Sequence, residues 1–365
     1  MSMKNVLLDA VALRDFVAQI FVKAGCSQTE AELVARCLVE SNLAGHDSHG
    51  VIRVPRYVSM LREELIFADR TVELLVDTPS LAVVDGKYGF GQTVAFQSTR
   101  IGIEKCRESG LAAVAMRNSG HIGRVADWAQ MAADEGYVSV HFVNAAGSVL
   151  VAPFGSSERR FSTAPYCVGV PMPDAPPLVL DFATSIVAEG KVLVASQGGK
   201  QLRPDALVGP DGELDNDPHL LYGEFEATGP RDPRRGPGAI RSFGDHKGSG
   251  LAMMCELLGG GLTGNGCNEF GRRFSNGMFS FYVDPARIDP EHMFPGEVSR
   301  YVSFVKQAKP LVPGEPPMVP GEPEARSREQ RLRGGVPLSP DTWAAITGTA
   351  ASLGLEGAPA GLNVT

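Results

Sequence analysis

The 365-residue chain contains no Cys-x-x-Cys pair, although it carries six cysteines, Cys26, Cys37, Cys106, Cys167, Cys255 and Cys267. Scattered singly, they fit reduced thiols used as small core residues, not a disulfide framework or a zinc ribbon. No apolar run reaches the roughly 18 residues of a membrane span. The start, Met1-Ser2-Met3-Lys4-Asn5-Val6, lacks the apolar core and small-residue cleavage site of a secretory signal. A cytoplasmic protein with no membrane partner is expected. Positive charge is in deficit, with 34 Lys and Arg against 42 Asp and Glu and a formal net charge of −8. That excludes a nucleic-acid surface as the expected role, because neutralising phosphates needs clustered cations. Arg231 to Arg235 and Arg326 to Arg333 are locally basic, but acidic residues or turn formers interleave them, and both read as solvated loops. A last absence concerns nucleotides. Gly89-Phe90-Gly91 before a helix begins like a dinucleotide fingerprint, but the third glycine and the later acidic residue are missing. The stretch reads as a turn, so any dinucleotide must bind without the Rossmann device.

What is present is ordinary globular material, 43% hydrophobic and 21% charged, with enough length for two domains. Residues 8–25 place Val11, Leu13, Phe16, Val17, Ile20 and Phe21 largely at helical spacing, and Gly25 closes the run. Ser27-Gln28-Thr29-Glu30 is a capping box for a second helix that carries Leu33, Val34, Cys37, Leu38 and Leu43. A third helical pattern runs from Tyr57 to Leu65. The period then shifts towards two, giving strands around Val72–Val76 and Leu81–Val84, a loop at Gly86–Gly91, a helix at Thr93–Glu108 and a strand at Leu111–Met116. A helix to Asp134, a strand at Val138–Asn144 and a helix at Ile186–Ala195 follow. Proline, glycine and aspartate dominate from Gln197 to Gly238, which predicts a surface strap, a lid or a partner-facing arm. The nearly all-apolar helix Leu251–Leu262 predicts burial, and Gly259, Gly260 and Gly261 would let another backbone come close. A strand at Met278–Val283, a strand or helix at Val298–Lys306 and a last helix at Asp341–Leu353 complete the chain.

The densest chemistry lies in Gly45-His46-Asp47-Ser48-His49-Gly50-Val51-Ile52-Arg53. An imidazole titrates near neutrality and can give or take a proton. Arg53 stands four residues beyond His49, and its planar fork can hold a carboxylate through two parallel hydrogen bonds. With Ser48 able to bond a ring nitrogen, this is the minimal kit for reducing a 2-oxo acid: a clamp for the carboxylate and an acid for the new hydroxyl. His46 and His49 at i, i+3 spacing also suggest a metal site completed by His121, and hence a metal-dependent hydrolase. The preferred reading has no metal, with His46 and Asp47 as scaffold. His121, in Gly120-His121-Ile122-Gly123-Arg124, sits where a strand yields to a helix, either as a site residue or as a turn residue bonded to carbonyls. Asp181, Thr184 and Ser185 could meet ribose hydroxyls or phosphate, and Lys247, opening a helix, could hold a phosphate.

Together these motifs resemble the malate/L-lactate dehydrogenase family that is unrelated to Rossmann-type lactate dehydrogenases and includes ureidoglycolate, sulfolactate, diketogulonate and cyclic imino acid oxidoreductases. The resemblance is carried by Gly45–Tyr57, Asn118–Arg124, Asp181–Lys191, Lys247–Gly264, and Pro320-Gly321-Glu322 followed by Gly335-Val336-Pro337-Leu338. It implies an α/β (α+β) fold: a non-Rossmann NAD(P)-binding domain with a largely antiparallel sheet over residues 76–299, and a helical substrate and dimerisation domain built from residues 1–75 and 300–365. It further implies a homodimer, NAD or NADP as cofactor, and a small carboxylate substrate, either a 2-hydroxy/2-oxo acid or a cyclic 2-imino acid. His49 would be the proton donor with Ser48 as relay, His121 an acid/base or cofactor contact, and Arg53 and Thr163 the substrate contacts. Asp181, Phe182, Ala183, Thr184, Ser185, Lys247, Pro320, Gly321 and Glu322 would bind the cofactor. One departure is Ser162-Thr163-Ala164-Pro165 where many members have Gly-Thr-Asn-Pro, which removes a polar group at Ala164.

Overall fold

The computed structural model describes residues 5–197, 200–225 and 231–362. Strand β1 (Val6–Leu8) leads into α1 (Ala10–Lys23) and α2 (Gln28–Leu43). Asp9 caps α1 through the amides of Val11 and Ala12, and Ser27 caps α2 through the amide of Glu30. The capping box is only half made. Buried Glu30 turns inward to accept from the Asp69 amide at 2.6 Å and the Thr93 hydroxyl at 2.7 Å, while the Ser27 amide goes to Asp69 at 2.9 Å. Two 3₁₀ turns, Asp47–His49 and Val51–Arg53, then enter α3 (Val54–Arg62), which starts earlier than the apolar spacing suggests because Pro55 is tolerated in a first turn.

The central layer follows: β2 (Glu73–Asp77), β3 (Leu81–Gly89), α4 (Gly91–Ser109), β4 (Leu111–Ser119), α5 (Ala126–Asp134), β5 (Val138–Ala146), β6 (Val151–Ala152), β7 (Pro165–Val170) and β8 (Leu178–Ala183). The expected loop at Gly86–Gly91 is largely strand, since β3 runs to Gly89, whose carbonyl accepts from the Gly120 amide at 2.9 Å. The second half of the chain adds α6 (Glu189–Ser196), β9 (Leu207–Val208), β10 (Leu214–Asp215), α7 (His219–Tyr222), β11 (Ala239–Arg241), α8 (His246–Cys255) with a π-helical continuation over Glu256–Leu262, β12 (Ser275–Val283), α9 (Pro285–Ile288), α10 (Phe294–Lys306), α11 (Glu322–Gly334), β13 (Val336–Leu338) and α12 (Pro340–Ser352). Seven strands form one sheet in the order β2-β3-β4-β12-β5-β7-β8. Only β3 and β4, joined by the α4 crossover, run parallel; the other neighbours are antiparallel. This is a mixed, mostly antiparallel α/β fold without the Rossmann strand order.

One apolar cluster unites the two ends of the chain, packing Leu13, Phe16, Val17 and Ile20 with Val336, Leu338 and Ile346. Helix α10 runs through residue 300, where the sequence-based division places a domain boundary. The described part of the turn-rich segment after Gln197 is folded, with strands and a core of its own. Its described residues fold onto β6 as a small four-stranded sheet, β10-β9-β11-β6, around Val151, Val192, Leu207, Leu221 and Ile240. Buried Arg159 ties this lobe by donating to the carbonyls of Leu220, Leu221, Pro233, Gly236 and Gly238. Part of that segment, residues 198–199 and 226–230 with Pro230, lies outside the described residues.

The expectation of a fully buried Leu251–Leu262 helix is corrected. One face, with Ala252, Cys255, Gly259 and Gly260, packs inward, whereas Met253, Met254, Leu257 and Leu262 are 43–60% exposed in the single chain. The close approach at the glycines is real, since a Cβ on Gly259 would fall 2.8 Å from the Phe142 carbonyl oxygen. Residues Arg326 to Arg333 are helix α11, not a loop. Five of the six cysteines are buried, as expected for core residues, and Cys267 is half-buried. No described helix is long and apolar enough to cross a membrane.

Candidate active site

The histidine motif is held from below by the end of α2. Gly45 takes the left-handed conformation that releases the chain from the helix. Asn42, fully buried, donates to Asp47 at 2.7 Å and accepts from the Val51 amide at 2.8 Å. Gly50 is needed because a Cβ there would fall 2.1 Å from the Asn42 amide oxygen. From α11, Arg331 reaches both carboxylate oxygens of Asp47 and the Asn42 carbonyl, and Arg328 pairs with Glu40, so this basic run fastens the two ends of the chain together. These contacts make Asp47 scaffold. His46 turns the other way and meets Glu324 at 3.2 Å.

Ser48 and His49 are left facing the centre, with Ser48 Oγ 2.9 Å from His49 Nδ1. Arg53 folds back so that its Nε donates to the Ser48 carbonyl at 2.6 Å, while Nη2 lies 3.6 Å from the Glu189 carboxylate. His121 comes from the segment after β4. Gly91 lets that segment in, since a Cβ on it would fall 2.1 Å from the His121 carbonyl oxygen. The imidazoles of His49 and His121 stack, with centroids 5.4 Å apart and planes 25° from parallel. Tyr57 Oη lies 2.6 Å from His121 Nδ1 and 3.1 Å from Gln92 Nε2, so the phenol bridges the imidazole and the buried amide. Burial, with Arg53 nearby, pushes His121 down to about 3. Burial, then His121 and Arg53, holds His49 well below its ordinary value. Both rings are neutral near pH 7.

A second concave region adjoins His46. Asp181 accepts from the Ala126 amide at 2.8 Å and so caps α5, and burial raises its pKa. It lines a cleft of about 900 Å³ together with Glu40, His46, Arg124, Gly321 and Glu324. The other residues expected at a cofactor are dispersed. Phe182 packs against Tyr166 and Phe243. Half-buried Ala183 pairs with Pro165 across β7 and β8. The hydroxyl of Thr184 donates to the carbonyls of Thr163 and Ala164, and that of Ser185 to Val187. Thr163 is thereby tied to β8 through its backbone. Lys247 is exposed on the first turn of α8. Glu322 pairs with Lys306, next to Pro320 and Gly321. At the departure noted in the sequence, buried Ala164 adopts φ +29°, and its amide donates to the Ser162 hydroxyl at 3.1 Å.

The metal-hydrolase alternative is set aside. His46 points away to Glu324, so the third histidine of that set does not join His49 and His121. Among the described residues no group of three His, Cys, Asp or Glu could hold a metal ion.

Residues 8–347 match the family described as malate/L-lactate dehydrogenase. The chain belongs to that family. Among its relatives, hydroxycarboxylate dehydrogenase B of Escherichia coli (strain K12) is 35% identical over 354 residues, covering 95% of this chain and 94% of the relative. The delta(1)-pyrroline-2-carboxylate/delta(1)-piperideine-2-carboxylate reductase of Pseudomonas putida is 33% identical over 253 residues, 69% of this chain and 70% of the reductase. The structure of malate dehydrogenase from Pyrococcus horikoshii OT3 superposes with a TM-score of 0.83 at 26% identity and covers 97% of both chains. The relatives of this malate/L-lactate dehydrogenase family member are thus dehydrogenases and reductases of hydroxy and imino carboxylic acids.

Four residues at the site were not anticipated from sequence: Asn42, Tyr57, Gln92 and Glu189. Asn42 and Tyr57 lie within sixteen positions of the histidine motif, but each occupies a helix face whose other members are core residues. Gln92, next to the Gly89–Gly91 turn, is fully buried, and that is a fact no single-sequence pattern signals.

Proposed function

We propose that this chain is an NAD- or NADP-dependent oxidoreductase that interconverts a small 2-hydroxy acid and its 2-oxo acid. The observation that carries the reading is the convergence of the Ser48–His49 pair, the His121 ring and the Arg53 guanidinium on one spot. Arg53 holds the substrate carboxylate. His49 handles the proton at the substrate oxygen. With Ser48 accepting from Nδ1–H, Nε2 carries the lone pair that takes a hydroxyl proton in oxidation; in reduction the imidazolium form gives its Nε2 proton to the carbonyl oxygen and keeps Nδ1–H bonded to Ser48. His121, stacked on His49, is the second acid–base group available at that oxygen. Both rings are neutral before substrate arrives, which leaves the lone pair that oxidation needs, and an arriving substrate carboxylate raises their basicity and favours the protonated form needed for reduction.

The cleft lined by Asp181 fits a dinucleotide. Its volume of about 900 Å³ is within the range of cofactor sites, its carboxylates Glu40, Asp181 and Glu324 are acceptors for ribose hydroxyls, and Arg36, Arg100 and Arg328 line the same cleft as cations. Bound there, a nicotinamide nucleotide supplies or accepts the hydride. Asp181, Gly321 and the neighbouring Pro320 and Glu322 are the residues we assign to holding it, with Phe182, Ala183, Thr184 and Ser185 shaping the wall behind Asp181. Lys247 and Thr163 complete the assigned cofactor and substrate contacts. The exposed apolar face of α8 and its π-helical continuation, with Met253, Met254 and Leu257, supports a homodimer. The shared core of the two chain ends supports a helical unit of residues 1–75 and 300–365 against a nucleotide-binding unit of residues 76–299. Free cysteines support a cytoplasmic setting.

The test is a panel of 2-oxo acids and cyclic 2-imino acids assayed with NADH and NADPH. Turnover of at least one 2-oxo acid is expected. Turnover of cyclic imines alone would move the assignment to imino acid reduction, and binding of neither nucleotide would overturn both.

A further inference from the structure

We infer that Glu189 selects the charge class of the substrate, favouring acids with one carboxylate over dicarboxylates; this rests on the reading of Arg53 as the carboxylate clamp. Glu189 opens α6, and its Oε2 lies 3.6 Å from Nη2 of Arg53. The carboxylate does not swing freely, because its Oε1 accepts from the Tyr222 hydroxyl at 2.7 Å. Its helix is pressed against the histidine motif, since a Cβ on the next residue, Gly190, would fall 2.3 Å from Ser48 Cβ. Side-chain exposure is low, 25% for Arg53 and 17% for Glu189, so water screens the pair only partly. Arg53 therefore meets a substrate with its positive charge already opposed. The imidazoles beside it are neutral near pH 7, and the neighbouring Arg124 is paired with Asp127.

A monocarboxylate adds one negative charge to this balanced pair, and Arg53 can meet it with the remaining hydrogens of its fork. A dicarboxylate adds two, and with its first carboxylate on Arg53 the second would stand about 6 Å from the Glu189 carboxylate, since Arg53 and Glu189 are themselves only 3.6 Å apart. Like charges at about 6 Å in a partly screened site disfavour binding by a factor of about ten to a hundred.

A purely structural role for Glu189, holding the Arg53 fork in place, predicts the opposite sign. Removing its charge would then weaken all carboxylates together. The experiment compares the full-length wild type with Glu189→Gln, which keeps an acceptor for Tyr222, and with Glu189→Ala in case the amide distorts the site. Two readouts are used: kcat/KM for pyruvate and oxaloacetate, and calorimetric Kd values for the unreactive pair oxamate and tartronate in the presence of NADH or NADPH. Loss of the charge is expected to tighten tartronate by about ten-fold or more and oxamate by less, moving the ratio towards the dicarboxylate in both readouts. An unchanged ratio, or equal weakening of both ligands, overturns the inference. If no 2-oxo acid or cyclic imine turns over, the proposed reaction fails but the calorimetric ratio still judges Glu189. If the wild type binds neither analogue, Arg53 is not a clamp and the inference falls with it.

Discussion

His49 and His121 come from opposite ends of a 72-residue separation and meet face to face, 5.4 Å between ring centroids, each held by a different hydroxyl: Ser48 on one, Tyr57 on the other. In the proposed reaction two neutral imidazoles so arranged would share one substrate oxygen between them. Replacing His49 by Asn should lower kcat by about 10²–10⁴-fold, the usual reach of acid–base catalysis. His121→Asn should cost less, and the double variant should lose more than the product of the two single losses, because in each single variant the remaining ring stands in for the missing one. A double-mutant cycle in kcat measures this; strictly multiplicative losses would show two independent roles.

The clamp has its own signature. Arg53 Nε is spent on the Ser48 carbonyl at 2.6 Å, which fixes the guanidinium plane. Lysine can keep the charge but not that bond and the fork together. Arg53→Lys should therefore raise KM for the acid by about ten- to hundred-fold, the equivalent of one or two charge-assisted hydrogen bonds, with a smaller change in kcat. A KM that does not move in steady-state kinetics would remove Arg53 from the substrate.

Much of this site was legible in the sequence, and the reasons are physical. Ser48, His49 and Arg53 stand within six residues, on two successive 3₁₀ turns, so local geometry alone brings them together. The helices and most strands followed from apolar periodicity, as in α1 and β4. What was hidden depends on contacts distant in sequence. Arg331 looked like loop charge, yet it clasps Asp47 from 284 positions away. The segment after Gln197 looked like an arm because its strands are two residues long, too short to show a period, and the buried Arg159 that organises it resembles any surface arginine in the sequence. The apolar run Leu251–Leu262 gave the right hydrophobicity but not its partner, since half of it faces outward.

Asn42 should behave as the keystone of the histidine motif. Its amide satisfies both the Asp47 carboxylate and the Val51 amide in a buried setting. Asn42→Ala strands the buried Val51 amide and leaves Asp47 to Arg331 alone, at a cost of about 1–3 kcal/mol in stability, and lets Ser48 and His49 drift. Urea unfolding should register the loss of stability, and kcat should fall alongside it. Full activity at unchanged stability would mean the motif holds itself.

Acid sensitivity follows from the buried histidines. His141, in the sheet between Ser139 and Ser280, is pushed down to about 3 by burial, as is His121 with the added influence of Arg53. Between about 6.5 and 3 the unfolded chain binds protons that the folded chain refuses, so stability rises with pH through that window. The contribution is complete above about 6.5 and is lost as pH falls towards the folded value, by about 1.4 kcal/mol per pH unit for each such histidine. His141→Asn should flatten the pH dependence of the unfolding midpoint between pH 6.5 and 4 relative to wild type. Parallel curves would mean that His141 is protonated in the folded protein.

The identity of the reacting bond can be read from one variant. A ketone oxygen must acquire a proton as hydride arrives at C2, whereas a cyclic imine nitrogen can enter already protonated, so only the ketone depends on a donor at His49. His49→Ala should accordingly depress reduction of a 2-oxo acid by at least ten-fold more than reduction of a cyclic 2-imino acid, provided hydride transfer limits both. The comparison is made in one enzyme with one cofactor, so a folding defect or weakened nucleotide binding would lower the two rates together and leave their ratio alone. Equal losses on the two substrates would therefore place the proton elsewhere, with the His121 ring that stacks on His49 as the nearest alternative donor.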